Sequence, residues 1–198
     1  MDQRQISTRL KYNCMKAFFL DRDGTLNVDY DFVHKPEEWT WCDGALEAIA
    51  WLNSNHFKTI VVTNQSGIAR GRYTAKDVEH LHSWVDEQLD KKGLWIDDWY
   101  VAPHHPTFDP KPHSYNPSDR KPGTGMFLKA IEKHGIDPNQ SFMAGDKITD
   151  LKPALALNIT PFFIKSIHEK NQDKNWLKAH RIKPYDSLYD IIRENFQH

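Results

Sequence analysis

The chain has 198 residues, enough for one ordinary domain with a proper core, and its 39% hydrophobic and 27% charged content is that of a globular protein. Lys+Arg 26 against Asp+Glu 27 leaves a net charge of -1, which gives no basic stripe for nucleic acid and no attraction to an anionic membrane. No apolar run approaches the ~20 residues that span a bilayer, residues 1–16 lack the apolar stretch of a secretory signal, and Cys14 and Cys42 make no disulfide framework, so a reducing, cytoplasmic compartment is expected.

Residues 1–15 are expected to be an N-terminal extension and 16–198 a single domain. Residues 16–20 (KAFFL) read as a short buried strand, and 44–55 as a helix with apolar positions near helical spacing. Residues 58–63 (KTIVVT) are β-branched and read as a second buried strand. Thr74, with Asp77 three residues on, caps a predicted helix over 75–92 whose one face carries Val78, Leu81, Val85 and Leu89. Residues 95–101 (WIDDWYV) suggest a third strand, and 102–122, rich in proline and histidine, an irregular loop. A helix is predicted over 124–134, stopped by Gly135. Then come a strand at 141–144, a helix at 149–157 and a strand at 160–164. The tail reads as polar until a helix near 186–195. This alternation predicts an α/β protein with a doubly wound, mostly parallel Rossmann-like sheet and a minimal cap made of loops.

Ligands of such sheets bind beyond the carboxyl ends of the strands. Three predicted strands end there on polar sets: Asp21 and Asp23 after the first, Thr63-Asn64-Gln65-Ser66 after the second, and Gly145-Asp146-Lys147 after the fourth. Two carboxylates two residues apart repel, and desolvation worsens it, so folding alone gains nothing obvious from Asp21-Arg22-Asp23. Asp-rich turns do commonly just end strands. A calcium loop starting at Asp21 would need Gly at its sixth and Glu at its twelfth position, where the chain has Leu26 and Phe32. A magnesium phosphotransfer site accounts for more. One Asp attacks phosphorus, the other protonates the leaving oxygen and then activates water, and Asp146 completes a site whose metal relieves the repulsion. Thr63-Asn64 would meet phosphate oxygens, and Arg120-Lys121 would offset the transferring charge.

The ordered set DRDGT, Thr63, Lys121 and GDKITD resembles the four motifs of the haloacid-dehalogenase-like phosphatases, over residues 18–150. The resemblance implies Mg²⁺, with Asp21 as nucleophile and Asp23 as acid/base. Its metal ligands would be the carboxylates of Asp21 and Asp146 and the carbonyl of Asp23, with Asp150 in support. Within that family the stretches NVDYDFVHK and QSGIARGRYT are more similar to the heptose-bisphosphate phosphatase branch, which serves the lipopolysaccharide core, than to the histidinol-phosphatase branch. That likeness implies a small sugar-phosphate substrate lined by Asp29, Tyr30, Asp31 and Phe32. It also implies that Thr63, Asn64, Gln65 and Ser66 meet phosphate and sugar, with Arg120, Lys121 and Lys147 beside them. Both branches usually carry a zinc loop; here its places read Ala102-Pro103-His104 and Pro117-Ser118-Asp119, so zinc is expected to be absent. His105 and His113 read as solvated loop histidines. Histidinol phosphate or a broad range of small phosphomonoesters are the alternative substrates, and a catalytically silent binding protein the non-enzymatic one. No nucleic-acid or membrane partner is expected, and a monomer is.

Overall fold

The computed structural model describes residues 15–108, 116–165 and 171–197. Six parallel strands form one sheet in the order β3-β2-β1-β4-β5-β6: β1 (Ala17–Leu20), β2 (Lys58–Asn64), β3 (Asp98–Ala102), β4 (Phe142–Gly145), β5 (Thr160–Ile164) and β6 (Pro184–Tyr185). The helices are α1 (Ala45–Ser54), α2 (Ala75–Asp90), α3 (Gly125–His134), α4 (Ile148–Ala156), α5 (Asn171–Ala179) and α6 (Leu188–Phe196). None of the described helices is long and apolar enough to cross a membrane.

Alternation along β1 divides the core. Phe18 and Leu20 face a cluster with Ala48, Ile49, Leu81, Val85 and Ile191 from α1, α2 and α6. Ala17 and Phe19 face the opposite cluster with Met126, Phe127 and Ala130 of α3 and Ala154 of α4. Both faces of the central strands are therefore covered, which is why AFFL and the Ile60-Val61-Val62 centre of β2 are continuous apolar runs rather than alternating ones. Thr74 caps α2 as its spacing predicts: its Oγ1 accepts from Asp77 N at 3.2 Å, and Thr74 N donates to Asp77 Oδ2 at 2.7 Å. Gly135 ends α3 at φ 63°, where a side chain would be strained.

Two expectations need correction. The third strand starts at Asp98, not at residue 95. The Asn53 side chain takes both backbone groups of Trp95, accepting from its N–H at 3.0 Å and donating to its carbonyl at 3.1 Å, so Trp95 does not join the ladder. The stretch after β5 also holds more order than its polarity suggests: α5 and β6 precede α6. Leu177 of α5 closes a small satellite core with Leu151 and Phe163, and Trp176 and Ile182 pack against it.

Candidate active site

The chain runs outward from β1 through β2 to β3 and then crosses back to β4 on the other side of β1. A crevice opens at such a reversal, beyond the strand ends. Asp21 leaves β1 there, Asp146 and Asp150 follow β4, and the loop after β3 returns to bring Lys121 to the same place. Carboxylate oxygens of Asp21, Asp146 and Asp150 lie within 4.8 Å of one another, and all three residues are buried.

Lys121 holds this acidic set together. It is 2% exposed, and its Nζ reaches Asp21 Oδ1 at 2.8 Å, Asp150 Oδ1 at 2.7 Å and the Val62 carbonyl at 2.7 Å. Three acceptors match the three protons of an ammonium. Burial disfavours that charge, but Asp150 and Asp21 outweigh it and raise the proton affinity of Lys121. For Asp21, burial and then the Asp150 charge push the carboxyl up to about 6, against the pull of Lys121. Asp21 Oδ1 also accepts from Arg22 N at 2.8 Å; neither this bond nor the Lys121 contact uses Oδ2. Asp150 is tied on both oxygens, to Lys121 through Oδ1 and to Lys147 N through Oδ2 at 2.9 Å.

Asp23 sits in a different field. Its Oδ1 accepts from Arg22 Nη2 at 2.9 Å, Arg22 Nε at 3.2 Å and Asn27 Nδ2 at 3.0 Å, and its Oδ2 from Gln65 Nε2 at 2.8 Å. Burial pushes Asp23 up, yet the Arg22 charge and these bonds hold it below the usual carboxylate range. Arg22 is itself fully buried. It also donates to the Val33 carbonyl at 2.6 Å, and its Nη1 lies 3.4 Å from His82 Nε2. A guanidinium only donates, so His82 Nε2 is the acceptor and the ring is neutral. Burial and the Arg22 charge push the imidazole down to about 3, and the ring stacks on Trp99 at 4.0 Å.

The other expected residues divide into inward and outward sets. Asn64 faces inward and clamps the backbone of Lys121, donating to its carbonyl and accepting from its N–H, both at 3.0 Å. Gln65 is buried between Asp23, Thr63 Oγ1 at 2.9 Å and Tyr73 Oη at 2.7 Å, so its amide orients Asp23 instead of facing the crevice. Thr63 is buried beneath it and Ser66 is half-buried. Outward, Asp29 meets Lys147 Nζ at 3.0 Å, the same Nζ lies 3.6 Å from Asp146, and Tyr30 is 60% exposed. Asp31 and Phe32 adopt φ 62° and 61°, consecutive left-handed conformations for residues with side chains. Arg120 Nη1 donates to the His104 carbonyl at 2.9 Å.

In the loop after β3, Ala102 is buried at the strand end, His104 is buried, and Asp119 Oδ2 pairs with Lys129 at 2.7 Å. Asp109, His113 and Tyr115 lie outside the described residues, as does Cys14. Cys42 is a free thiol, pushed up to about 12 by burial and nearby carboxylates. The sequence reading passed over Arg22, Asn27, Tyr73 and His82. Arg22 alone carried a signal, since a cation between two aspartates at a strand end is the nearest available neutraliser.

The donor set suits a hard dication. It is all oxygen, and Gly24 at φ 85° lets Asp146 approach so closely that a Cβ would stand 2.5 Å from Asp146 Oδ2.

Residues 16–182 match the family model described as polynucleotide kinase 3 phosphatase. The D-glycero-beta-D-manno-heptose-1,7-bisphosphate 7-phosphatase of Pasteurella multocida is 43% identical over 136 residues, covering 69% of this chain and 73% of that protein. The protein of the same name from Escherichia coli K12 is 41% identical over 143 residues, covering 72% and 75%. Among solved structures, the D,D-heptose 1,7-bisphosphate phosphatase of B. bronchiseptica, complexed with magnesium and phosphate, superposes with a TM-score of 0.77 at 27% identity, over 92% of this chain and 99% of that one. The corresponding phosphatase of Burkholderia thailandensis gives 0.62 at 26%, over 92% and 99%. A family model matched over most of the chain, and identity above 40% sustained over about seven-tenths of it, place the four strand-end motifs in a known setting: the chain belongs to the polynucleotide kinase 3 phosphatase family of haloacid-dehalogenase-like phosphatases, on the heptose-bisphosphate phosphatase side.

Proposed function

We propose that the chain is a magnesium-dependent phosphatase that removes the C7 phosphate of D-glycero-beta-D-manno-heptose 1,7-bisphosphate through an aspartyl-phosphate on Asp21. The observation that carries this reading is Lys121 bound to both Asp21 and Asp150 beside Asp146, in a chain 43% identical to a phosphatase named for that substrate. Asp21 attacks phosphorus through Oδ2, the oxygen used by neither Lys121 nor Arg22 N, and the bond between phosphorus and the C7 oxygen breaks. Asp23 gives that oxygen its proton and then takes one from the water that hydrolyses the acyl phosphate. Four donated bonds favour the ionised form of Asp23, the form needed to activate water. Carrying a proton for the first half requires it to release at least one of those bonds. Lys121 neutralises charge on the transferring group, and Asn64 fixes the backbone that presents it. The carboxylates of Asp21 and Asp146 with the Asp23 carbonyl would hold Mg²⁺, which supplies further charge neutralisation when bound.

Phosphate release measured side by side on the heptose bisphosphate and on histidinol phosphate tests the reading. A clear preference in kcat/KM for the bisphosphate is expected, lost in EDTA and restored by Mg²⁺; preference for histidinol phosphate would overturn the substrate, and full activity in chelated protein the mechanism. The loop after β3 works without zinc in this reading, because Ala102 and Pro117 cannot coordinate through a side chain and structural zinc takes four ligands. Elemental analysis of untagged protein is expected to give well below one zinc per chain, and stoichiometric zinc resisting dialysis would refute it.

A further inference from the structure

Two arginines near the crevice take no part in the chemistry above. Arg70 and Arg72 stand in the loop between β2 and α2, and both are exposed. The ends of that loop are fixed to the reaction centre: Tyr73 Oη donates to Gln65 Oε1 at 2.7 Å, and the same Gln65 amide donates to Asp23 Oδ2 at 2.8 Å. The Arg72 guanidinium lies 4.1 Å from the centre of the Phe32 ring. That of Arg70 lies 4.0 Å from the Phe108 ring and 5.9 Å from Phe32. The two side chains thus tie together the loops that follow β1, β2 and β3, at the strand ends where Asp21 and Lys121 meet.

Phe32 is held in this place at a cost. It and Asp31 both have φ near 60°, and such conformations persist only where the surroundings impose them, commonly at ligand clamps. The surroundings are on hand. His34 Nδ1 lies 2.8 Å from the Phe32 carbonyl, and the His34 ring stacks on Tyr73 at 4.9 Å. A guanidinium lying over a ring is fixed in orientation, while its N–H donors remain at its edge. Arg70 uses one of them, placing Nη2 3.3 Å from His105 Nε2. Among the described residues, neither guanidinium forms an ion pair. The inner cations, in contrast, are occupied: Lys121 by Asp21 and Asp150, Lys147 by Asp29. A substrate with two phosphates needs its second one neutralised away from the reacting one, and planar, permanently charged forks are well suited to phosphate.

We propose that Arg70 and Arg72 form a subsite for the second, non-reacting phosphate of a bisphosphorylated sugar, and that they set the preference for bisphosphate over monophosphate. The inference rests on the sugar-bisphosphate reading above. The test compares wild type with the Arg70→Gln/Arg72→Gln double variant on heptose 1,7-bisphosphate and heptose 7-phosphate. KM for the bisphosphate is expected to rise about tenfold or more with kcat within about threefold, while kcat/KM for the monophosphate stays within about twofold. The monophosphate rate also reports whether the variant is folded. The Arg70→Lys/Arg72→Lys variant, which keeps charge and loses the fork, should fall between the two. An unchanged ratio between the substrates overturns the inference and leaves the phosphatase reading standing, as does an equal loss on both. A loss confined to a 3′-phosphorylated oligonucleotide overturns it too. Wild-type protein inactive on the bisphosphate removes both the reading and the inference.

Discussion

Around Asp21 the partners come from far along the chain: Lys121, delivered by the loop after β3, and Asp150 of α4. Around Asp23 most of them come from nearby, Arg22 and Asn27, with Gln65 the distant contributor. Asp21 shares its cation with a second carboxylate and faces a third, so burial prevails and its carboxyl rises to about 6. Asp23 shares its fully buried guanidinium with neutral groups, the Val33 carbonyl and His82, and has two amides besides, so its carboxyl is held low. Two identical side chains, two residues apart, are driven in opposite directions because their charges are balanced from different sources. The deficit of positive charge lies on the side where a metal and a phosphate are proposed to bind, and the side proposed for proton transfer is already balanced.

The two halves separate most widely at Asp21. Asp21→Asn replaces the nucleophile by an amide while leaving the Asp23 half untouched. Turnover is expected to fall by more than about 10⁴-fold, with no acid-labile phosphoenzyme. Activity within tenfold of wild type would remove Asp21 from the nucleophile role. The stability of this variant should rise or hold, because one of two carboxylates competing for Lys121 is gone.

Exchanging the two cations separates the halves. Lys121→Met leaves Asp21 and Asp150 buried without their shared cation and is expected to lower kcat by about 100- to 1,000-fold, more than it raises KM. Arg22→Met leaves Asp23, the Val33 carbonyl and His82 without their donor. Removing one partner of a buried pair costs about 3–5 kcal/mol, so urea denaturation should show a loss of this size in both variants. Arg22→Met differs in activity: it frees Asp23 without touching the nucleophile, so its kcat loss should be several-fold smaller than that of Lys121→Met. Equal kcat losses would show that the two halves act as one unit.

How much of this arrangement the sequence disclosed follows from where each partner lies. β1 and β2 were legible because strands buried on both faces are unbroken apolar runs. Asp21, Asp146, Asp150 and Lys121 were legible because each stands next to such an end or in an ordered motif. The inward turn of Asn64 and Gln65 was not. A side chain at a strand end takes its direction from tertiary neighbours, here the Lys121 backbone and Asp23, and neither adjoins it in sequence. Trp95 and Ile96 looked like strand because their propensity is right; the Asn53 amide that withdraws Trp95 from the ladder lies in another element. α5 was missed because its apolar contribution rests on few residues, chiefly Leu177 with Trp176 beside it. His82 carried no signal at all, since the apolar stripe of α2 accounts for that helix without it.

His82 provides the smallest and most selective test, because it touches the Asp23 half only through Arg22. Its folded proton affinity lies far below the ordinary value: about 3 against 6.5. Below pH 6.5 the unfolded chain takes up a proton at this position and the folded chain does not. Stability is therefore lost as pH falls from about 6.5 toward 3, and by pH 5 this one imidazole accounts for about 2 kcal/mol of the loss. His82→Gln keeps an acceptor that can meet Arg22 Nη1 but cannot titrate. Its stability relative to wild type should improve by about 2 kcal/mol between pH 7 and pH 5, read as the change in urea midpoint at each pH. Asp21, at about 6, also titrates in this window, but it does so in wild type and variant alike, so the difference between the two reports the histidine. A variant whose midpoint falls in parallel with wild type over the same range would mean that the folded ring takes up a proton as readily as the unfolded one. It would then not be held neutral as the acceptor for Arg22, and the fork that holds Asp23 would lack its inner anchor.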